Sequence, residues 1–295
     1  MNADALRITL ASGVIGAGSI ILVVLAVAIA YAHGRYIPVW LPDLGTVGAY
    51  LFRLLWVGGA PVSVSASLSL VFCIGVAWLV HRYLIVPFLD EHDYLSPLLL
   101  GLGLGFGFQG SASLLGSGLS EHFPGNGLQQ QWYPQAFGFA VHASDAAGLV
   151  VGLFASLGLY MLFRSSRTGL RLRAVMANRD WARSLGIPVR RIDAVVVTIY
   201  TVLAVAGACL YGNRFDLQPT MMFYPGLTAI AAAVTAGFVR PFLAVPIAAA
   251  LMVVEIMVGL SPSLAQMQRA VPFVAVVVIL LIRSFARPQA VEAGS

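Results

Sequence analysis

Of the 295 residues, 59% are hydrophobic and only 10% charged, and the mean hydropathy is +0.89. A soluble domain averages about 45–50% apolar and about 25% charged residues, so this composition excludes an ordinary soluble fold and makes lipid the solvent. The net charge of +5 comes from 17 arginines, without a single lysine; that excludes a Walker A phosphate loop, whose lysine reaches the β- and γ-phosphates, and lysine Schiff-base chemistry.

Taken in chain order, Met1 to Leu10 carries one arginine and no small-residue cleavage site, so the first apolar run is expected to stay as a helix rather than be removed. Uncharged apolar stretches long enough to span a bilayer, about 20 residues, run from Ile8 to Ala32, Leu54 to Val80, Tyr94 to Ser120, Ala146 to Phe163, Ala194 to Asn213 and Leu217 to Val239. Two shorter pieces follow, Pro241 to Val254 and Ala270 to Ile282. Between the first two, Ile37 to Phe52 contains Pro38, Pro42, Asp43, Gly45 and Gly48, a composition that fits a broken or re-entrant helix. The expectation is one all-α transmembrane bundle over residues 1–295 with eight or nine spans. The side on which the N-terminus falls depends on the ambiguous segment.

Orientation follows from arginine placement. Arg164, Arg167, Arg171, Arg173, Arg179, Arg183, Arg190 and Arg191 crowd the connection 164–193, which is therefore expected in the cytoplasm. His81 to Asp93 then falls on the same side, and Gly116 to Gln135 and Asn213 to Pro225 on the other. The tail 283–295, with Arg283 and Arg287, returns to the cytoplasm if three spans follow.

The basic connection encodes a short capped helix. Asn178 is a good N-cap, Asp180 sits in the first turn, Gly186 suits the residue just past the end, and Pro188 blocks continuation. Trp181 and Leu185, four apart, share a face. Such a helix can dock in a partner's groove or lie on lipid headgroups. Further along, Gly101, Gly103, Gly105, Gly107 and Gly110 crowd one span without forming a single GxxxG face; close packing with several neighbours and local unwinding both fit. Asp43, His142, Asp145 and Glu255 are ionisable groups in or beside apolar runs, where such residues face a bundle interior or a polar path. Cys73 and Cys209 read as small buried hydrophobes. Metal-ligand spacings and nucleophile motifs are missing from the sequence, so an enzyme has little to stand on.

The run Arg167-Thr-Gly-Leu-Arg-Leu-Arg-Ala-Val, then Ala182, then Leu185-Gly-Ile-Pro-Val-Arg-Arg-Ile resembles the branched-chain amino acid/urea class of ABC-transporter permeases. Gly45-Thr-Val-Gly-Ala-Tyr-Leu, Tyr83 through Pro87, Leu98 to Gln109, Gly116, Phe123-Pro124, Ala204 to Gly212, Ala229 to Gly237 and Arg287-Pro288 continue the pattern in order. The chain departs from it at Leu41-Pro-Asp-Leu, where an Asn and a His are usual, and in having one glycine at Gly237 where two are usual. The Gly-Leu that usually follows Arg-Pro is absent as well.

The resemblance implies an inner-membrane permease of a bacterial importer for a small polar solute, amino acids first and urea or amides next. It implies as partners a cytoplasmic ATPase pair that binds ATP and magnesium, a second permease, identical or homologous, and an extracytoplasmic solute-binding protein. It also implies that Asn178, Asp180, Trp181, Ala182, Leu185 and Gly186 form the helix that couples to the ATPase. Gly45, Gly48, Gly103, Gly105, Gln109, Asp145 and Glu255 are the residues expected along a translocation path. No cofactor is expected on this chain itself. The rival reading is a secondary transporter or channel acting alone, for which Asp145 and Glu255 would be the coupling-ion groups.

Overall fold

The computed structural model describes residues 11, 14–90, 95–116, 120–124, 131–132, 141–237, 241–259 and 264–286. Arg240, Arg287 and the tail beyond it lie outside the described residues, as does most of the connection between 116 and 141.

The first long helix, α1 (Gly18–Gly34), is apolar on every side, and a helix of that kind has to be surrounded. It is: every residue from Leu22 to Ile29 is 1% exposed or less. After α1, Arg35 takes a left-handed conformation (φ 54°) that ends the helix, and the chain turns back into the bundle through Tyr36 to Val39 before α2 (Trp40–Val57) begins. Pro42 falls in the first turn of α2, where its missing N–H costs nothing, and Asp43 lies there too, at the positive end of the helix dipole. The Trp40 ring is 6.3 Å from that of Tyr200, eleven residues along α9, so α2 starts roughly 16 Å inside the bundle. The ambiguous segment is thus a helix that begins at depth.

Next come α3 (Val62–Leu79), a π-turn (Val80–Ile85) and α4 (Val86–Asp90), one continuous rod, then α5 (Ser96–Leu115). β1 (Gln131–Trp132) and β2 (Val141–His142) make a minimal antiparallel pair with Gln131 opposite His142. α6 (Ala143–Ser165), α7 (Arg167–Ala177), α8 (Arg179–Ser184) and α9 (Val189–Phe215) follow, then α10 (Phe223–Ala236), α11 (Ala244–Gly259) and α12 (Val271–Ala286).

Among the described residues, four helices are long and apolar enough to cross a membrane: Val62–Phe88, Ser96–Leu115, Ala143–Ser165 and Val189–Phe215. Ile20–Gly34, Phe223–Ala236 and Ala244–Gly259 are shorter apolar helices. The outer faces are apolar, with Phe72, Phe106, Val150, Leu153, Phe154 and Leu157 all exposed, which water would penalise and lipid does not. α9 is the pivot. It packs on α1 and α6 to one side and on α2 and α3 to the other, while α10 and α11 lean on α1 and α5 leans on α2.

Both ends of the bundle are tied by polar contacts. At one end Arg35 reaches the basic connection, donating to the Ala177 carbonyl at 2.9 Å. At the other, Glu121 and Leu217 form a backbone bridge, Tyr50 donates to the Leu217 carbonyl, Arg53 pairs with Glu121 at 2.5 Å, and Arg214 pairs with Asp145. The connections near 121 and 217 therefore share one end, as the arginine pattern requires. Gly18, beside the Asp145 carbonyl, places the start of α1 at that same end, away from the basic loop.

The α1–α9 crossing depends on Gly207: a Cβ there would lie 2.6 Å from Val23 Cγ2 and 3.0 Å from the Val23 amide nitrogen. Gly207→Val is expected to destabilise the protein by about 1–3 kcal/mol through overpacking. Gly158→Val, with nothing within 4 Å of the new Cβ, should leave melting in detergent unchanged. Equal melting temperatures for the two variants would contradict this packing.

Candidate functional site

The basic connection folds into two short helices pinned against the end of the bundle. Ser166 caps α7 by accepting from the Gly169 amide at 2.8 Å, and Gly169 has no room for a side chain, since a Cβ would lie 2.1 Å from the Leu162 carbonyl oxygen. Leu172 and Val175 turn inward from α7 while Leu170 stays exposed.

At α8 the Asn178 side chain accepts from the amides of Asp180 and Trp181, both at 3.0 Å. Beyond its last turn, Ile187 donates to the Ala182 carbonyl and Gly186 to that of Arg183, with Gly186 at φ 72°. This pairing is the Schellman motif that a glycine after a helix permits. Within the capped turn Ala182 is buried at 1%, whereas Trp181 is 71% exposed and Leu185 66% exposed. Two large apolar side chains stand out together from an otherwise basic surface.

The base of α8 is anchored. Arg179 donates two hydrogen bonds to Asp193 in the first turns of α9, Nη1 to Oδ1 at 3.0 Å and Nη2 to Oδ2 at 2.8 Å. A fork-to-fork pair of this type fixes direction as well as distance. His33, in the last turn of α1, brings Nε2 to 2.9 Å from Asp193 Oδ1. Asp193 therefore touches both the capped helix and the central helix of the bundle.

The residues expected along a path fall in three places. Gln109 donates to Asp43 Oδ1 at 3.2 Å, and a Cβ on Gly105 would be 2.9 Å from Asp43 Oδ2, so these three residues meet where α5 crosses the start of α2. Gly103, with Gly107 and Gly110, has nothing within 4 Å and forms the opposite, open face of α5. The five glycines thus divide into a packed face, Gly101 and Gly105, and an unpacked one. Gly45 and Gly48 are close-approach positions against α9, 2.7 Å from the Ala204 carbonyl oxygen and 2.8 Å from Val205 for an added Cβ. Asp145 is paired with Arg214 at the far end from the basic loop, and Glu255 accepts from Thr228 at 3.1 Å between α10 and α11. A cavity of about 500 Å³ between Trp56, Val62, Leu70, Phe123, Val151 and Cys209 is almost wholly apolar and offers a polar solute little.

Sequence reading missed the Arg179–Asp193–His33 junction, the Arg53–Glu121 pair and the role of Arg214. Their partners sit on different helices, so spacing carries no trace of them; the one available signal was a histidine or aspartate at the edge of an otherwise apolar run.

Residues 9–280 match the family model described as branched-chain amino acid transport system / permease component. The chain belongs to this family, and is the permease component of an ABC-type transport system, a multi-pass membrane protein. The solved structure of PsaBC from Streptococcus pneumoniae in complex with Fab contains a chain of similar fold, with a TM-score of 0.50 and 13% identity over 95% of this chain and 92% of that one. The comparison with curated proteins returns no match.

The two faces of α5 should respond differently to bulk. Gly105→Leu is expected to push α5 off α2, break the Asp43–Gln109 contact and lower both melting temperature and transport. Gly103→Leu should leave the melting temperature of the isolated chain unchanged. If Gly103→Leu proves the more destabilising of the two, the assignment of packed and open faces is reversed.

Proposed function

We propose that this chain is the permease of an ATP-driven importer in the bacterial inner membrane. Its solute is small and polar, with branched-chain or other amino acids first and urea or amides next. The observation that carries the reading is α8: capped at both ends, bolted to the bundle through Arg179, and presenting Trp181 and Leu185 outward. A helix serving only to close a loop would turn those side chains inward. Family membership supports the same conclusion.

In this reading Trp181 and Leu185 enter a groove on a cytoplasmic ATPase that holds ATP and magnesium. Closure of the ATPase pair pushes α8 and drives alternating access. A second permease, identical or homologous, completes the membrane unit, and a soluble binding protein delivers the solute from the other side. The expected path runs beside α5 and the start of α2, where Asp43 and Gln109, beside Gly105, supply polar groups at depth. A transporter acting alone would have no use for an outward-facing Trp–Leu pair on the basic loop.

Two outcomes check this. The purified chain, free of other subunits, should hydrolyse no ATP, since it has no lysine for a phosphate loop; turnover above a mock preparation would contradict the reading. Leu185→Asp should abolish recovery of the ATPase with this chain while membrane insertion stays normal. Burying a leucine contributes about 1.5–3 kcal/mol, roughly ten- to hundredfold in affinity, and the unpaired carboxylate adds a desolvation cost. Arg183→Asp, which breaks an exposed pair with Asp180, should reduce recovery far less. Full ATPase recovery with Leu185→Asp would remove α8 from the interface.

A further inference from the structure

Beneath α8 lies a cluster that the transport reading does not use. His33 on α1, His81 on the π-turn and Asp193 on α9 each offer one ligand atom, and those atoms all lie within 4.8 Å of one another. Both histidines are 3% exposed. Among the described residues, neither nitrogen of the His81 ring has a hydrogen-bond partner, nor does His33 Nδ1, while His33 Nε2 is paired with Asp193 Oδ1 at 2.9 Å. That pair has to open only to about 3.4 Å for its two atoms to share one tetrahedral ion at about 2.0–2.2 Å each. The rings stand 5.8 Å apart, tilted by 33°.

A buried polar atom without a partner costs about 1–3 kcal/mol, and here both His81 nitrogens and His33 Nδ1 are such atoms. The π-turn is part of the device. It inserts into the α3–α4 rod at the point that carries His81, and such insertions re-aim side chains and recur at functional sites. The Asp193 pair accounts for His33, but packing alone gives no reason to place an imidazole rather than a leucine at position 81.

We infer that His33, His81 and Asp193 bind a first-row divalent transition metal of the zinc class, with neutral imidazole nitrogens and one carboxylate oxygen as ligands. Two histidines, one carboxylate and an open position form an ordinary zinc donor set. Arg179 is the competitor: its guanidinium holds both Asp193 oxygens, and two cations do not share one buried carboxylate cheaply. Metal entry therefore displaces Arg179, whose side chain is 14% exposed and leads to the basic-loop surface. A filled site takes from α8 the pair that anchors its base, which makes the metal a release for that helix.

The test uses the purified full chain in detergent, with Zn²⁺ as ligand and Co²⁺ as spectroscopic probe. Zn²⁺ should raise the melting temperature, and Co²⁺ should give the visible absorption of a four-coordinate ion, abolished by added Zn²⁺. His81→Leu is the decisive variant. Its nitrogens have no partner to lose, so the metal-free variant should melt no lower than the parent, yet both the Zn²⁺ and the Co²⁺ responses should vanish. Arg179→Gln removes the competitor and should bind Zn²⁺ more tightly than the parent. The absence of a Zn²⁺ response in the parent chain, or an equal response in His81→Leu, would overturn the assignment. So would Zn²⁺ binding that weakens in Arg179→Gln.

Discussion

Helices in lipid gain nothing by hiding apolar side chains from one another, because the hydrocarbon around them is equally apolar. This bundle is therefore held where backbones approach closely enough for many small contacts to add up, and glycine sets those places. Gly207 admits Val23, Gly152 admits Ile21, Gly45 lets α2 lie against the Ala204 carbonyl, and Gly18 lets α1 meet the start of α6. Remove these approaches and α1 has no reason to be enclosed. With them, α1 and α9 form a packed centre that the other helices surround, and bulky residues such as Phe154 and Phe106 are left for the lipid.

Polar groups then act at the ends and at a few depths where no water competes. At one end Arg53–Glu121, Arg214–Asp145 and the Glu121–Leu217 bridge bind three connections together. At the other, Arg35 and Arg179 bind α7 and α8 to the ends of α1 and α9. A displacement of α8 thus reaches the centre of the bundle through a directed ion pair rather than through a loose loop. The Asp43–Gln109 contact is the interior counterpart: a carboxylate at the head of a helix that starts at depth, where the dipole favours it.

Much of this was legible in the sequence for definite reasons. Lipid as solvent follows from composition alone, and the arginines between 164 and 191 mark one end of the bundle. Asn178, Gly186 and Pro188 write the limits of α8 in residue types whose backbone preferences are strong, so the capped helix and its Trp–Leu face could be read directly. The proline- and glycine-rich segment around Pro38 and Gly45 signalled an interrupted helix, though not the depth at which it begins. The glycines of α5 were legible only as a group; which of them pack depends on where Trp40 and Asp43 lie, and that is a tertiary fact. For Asp145 and Glu255 the sequence showed ionisable groups at costly positions without showing Arg214 and Thr228 as their partners. The His33–His81–Asp193 cluster comes from two separate helices and one π-turn, and no local pattern encodes such an encounter.

In the proposed mechanism α8 is the element through which another subunit acts on the membrane bundle. The most direct measurement is site-specific photocrosslinking in native membranes, with a benzophenone amino acid at position 181 or, for comparison, at the lipid-facing position 154. Position 181 is predicted to give an adduct whose second component, identified by mass spectrometry, carries a Walker A loop, and position 154 is predicted to give none. An ATPase adduct at 154 but not at 181, or no protein adduct at 181 while the transporter is active, would contradict it.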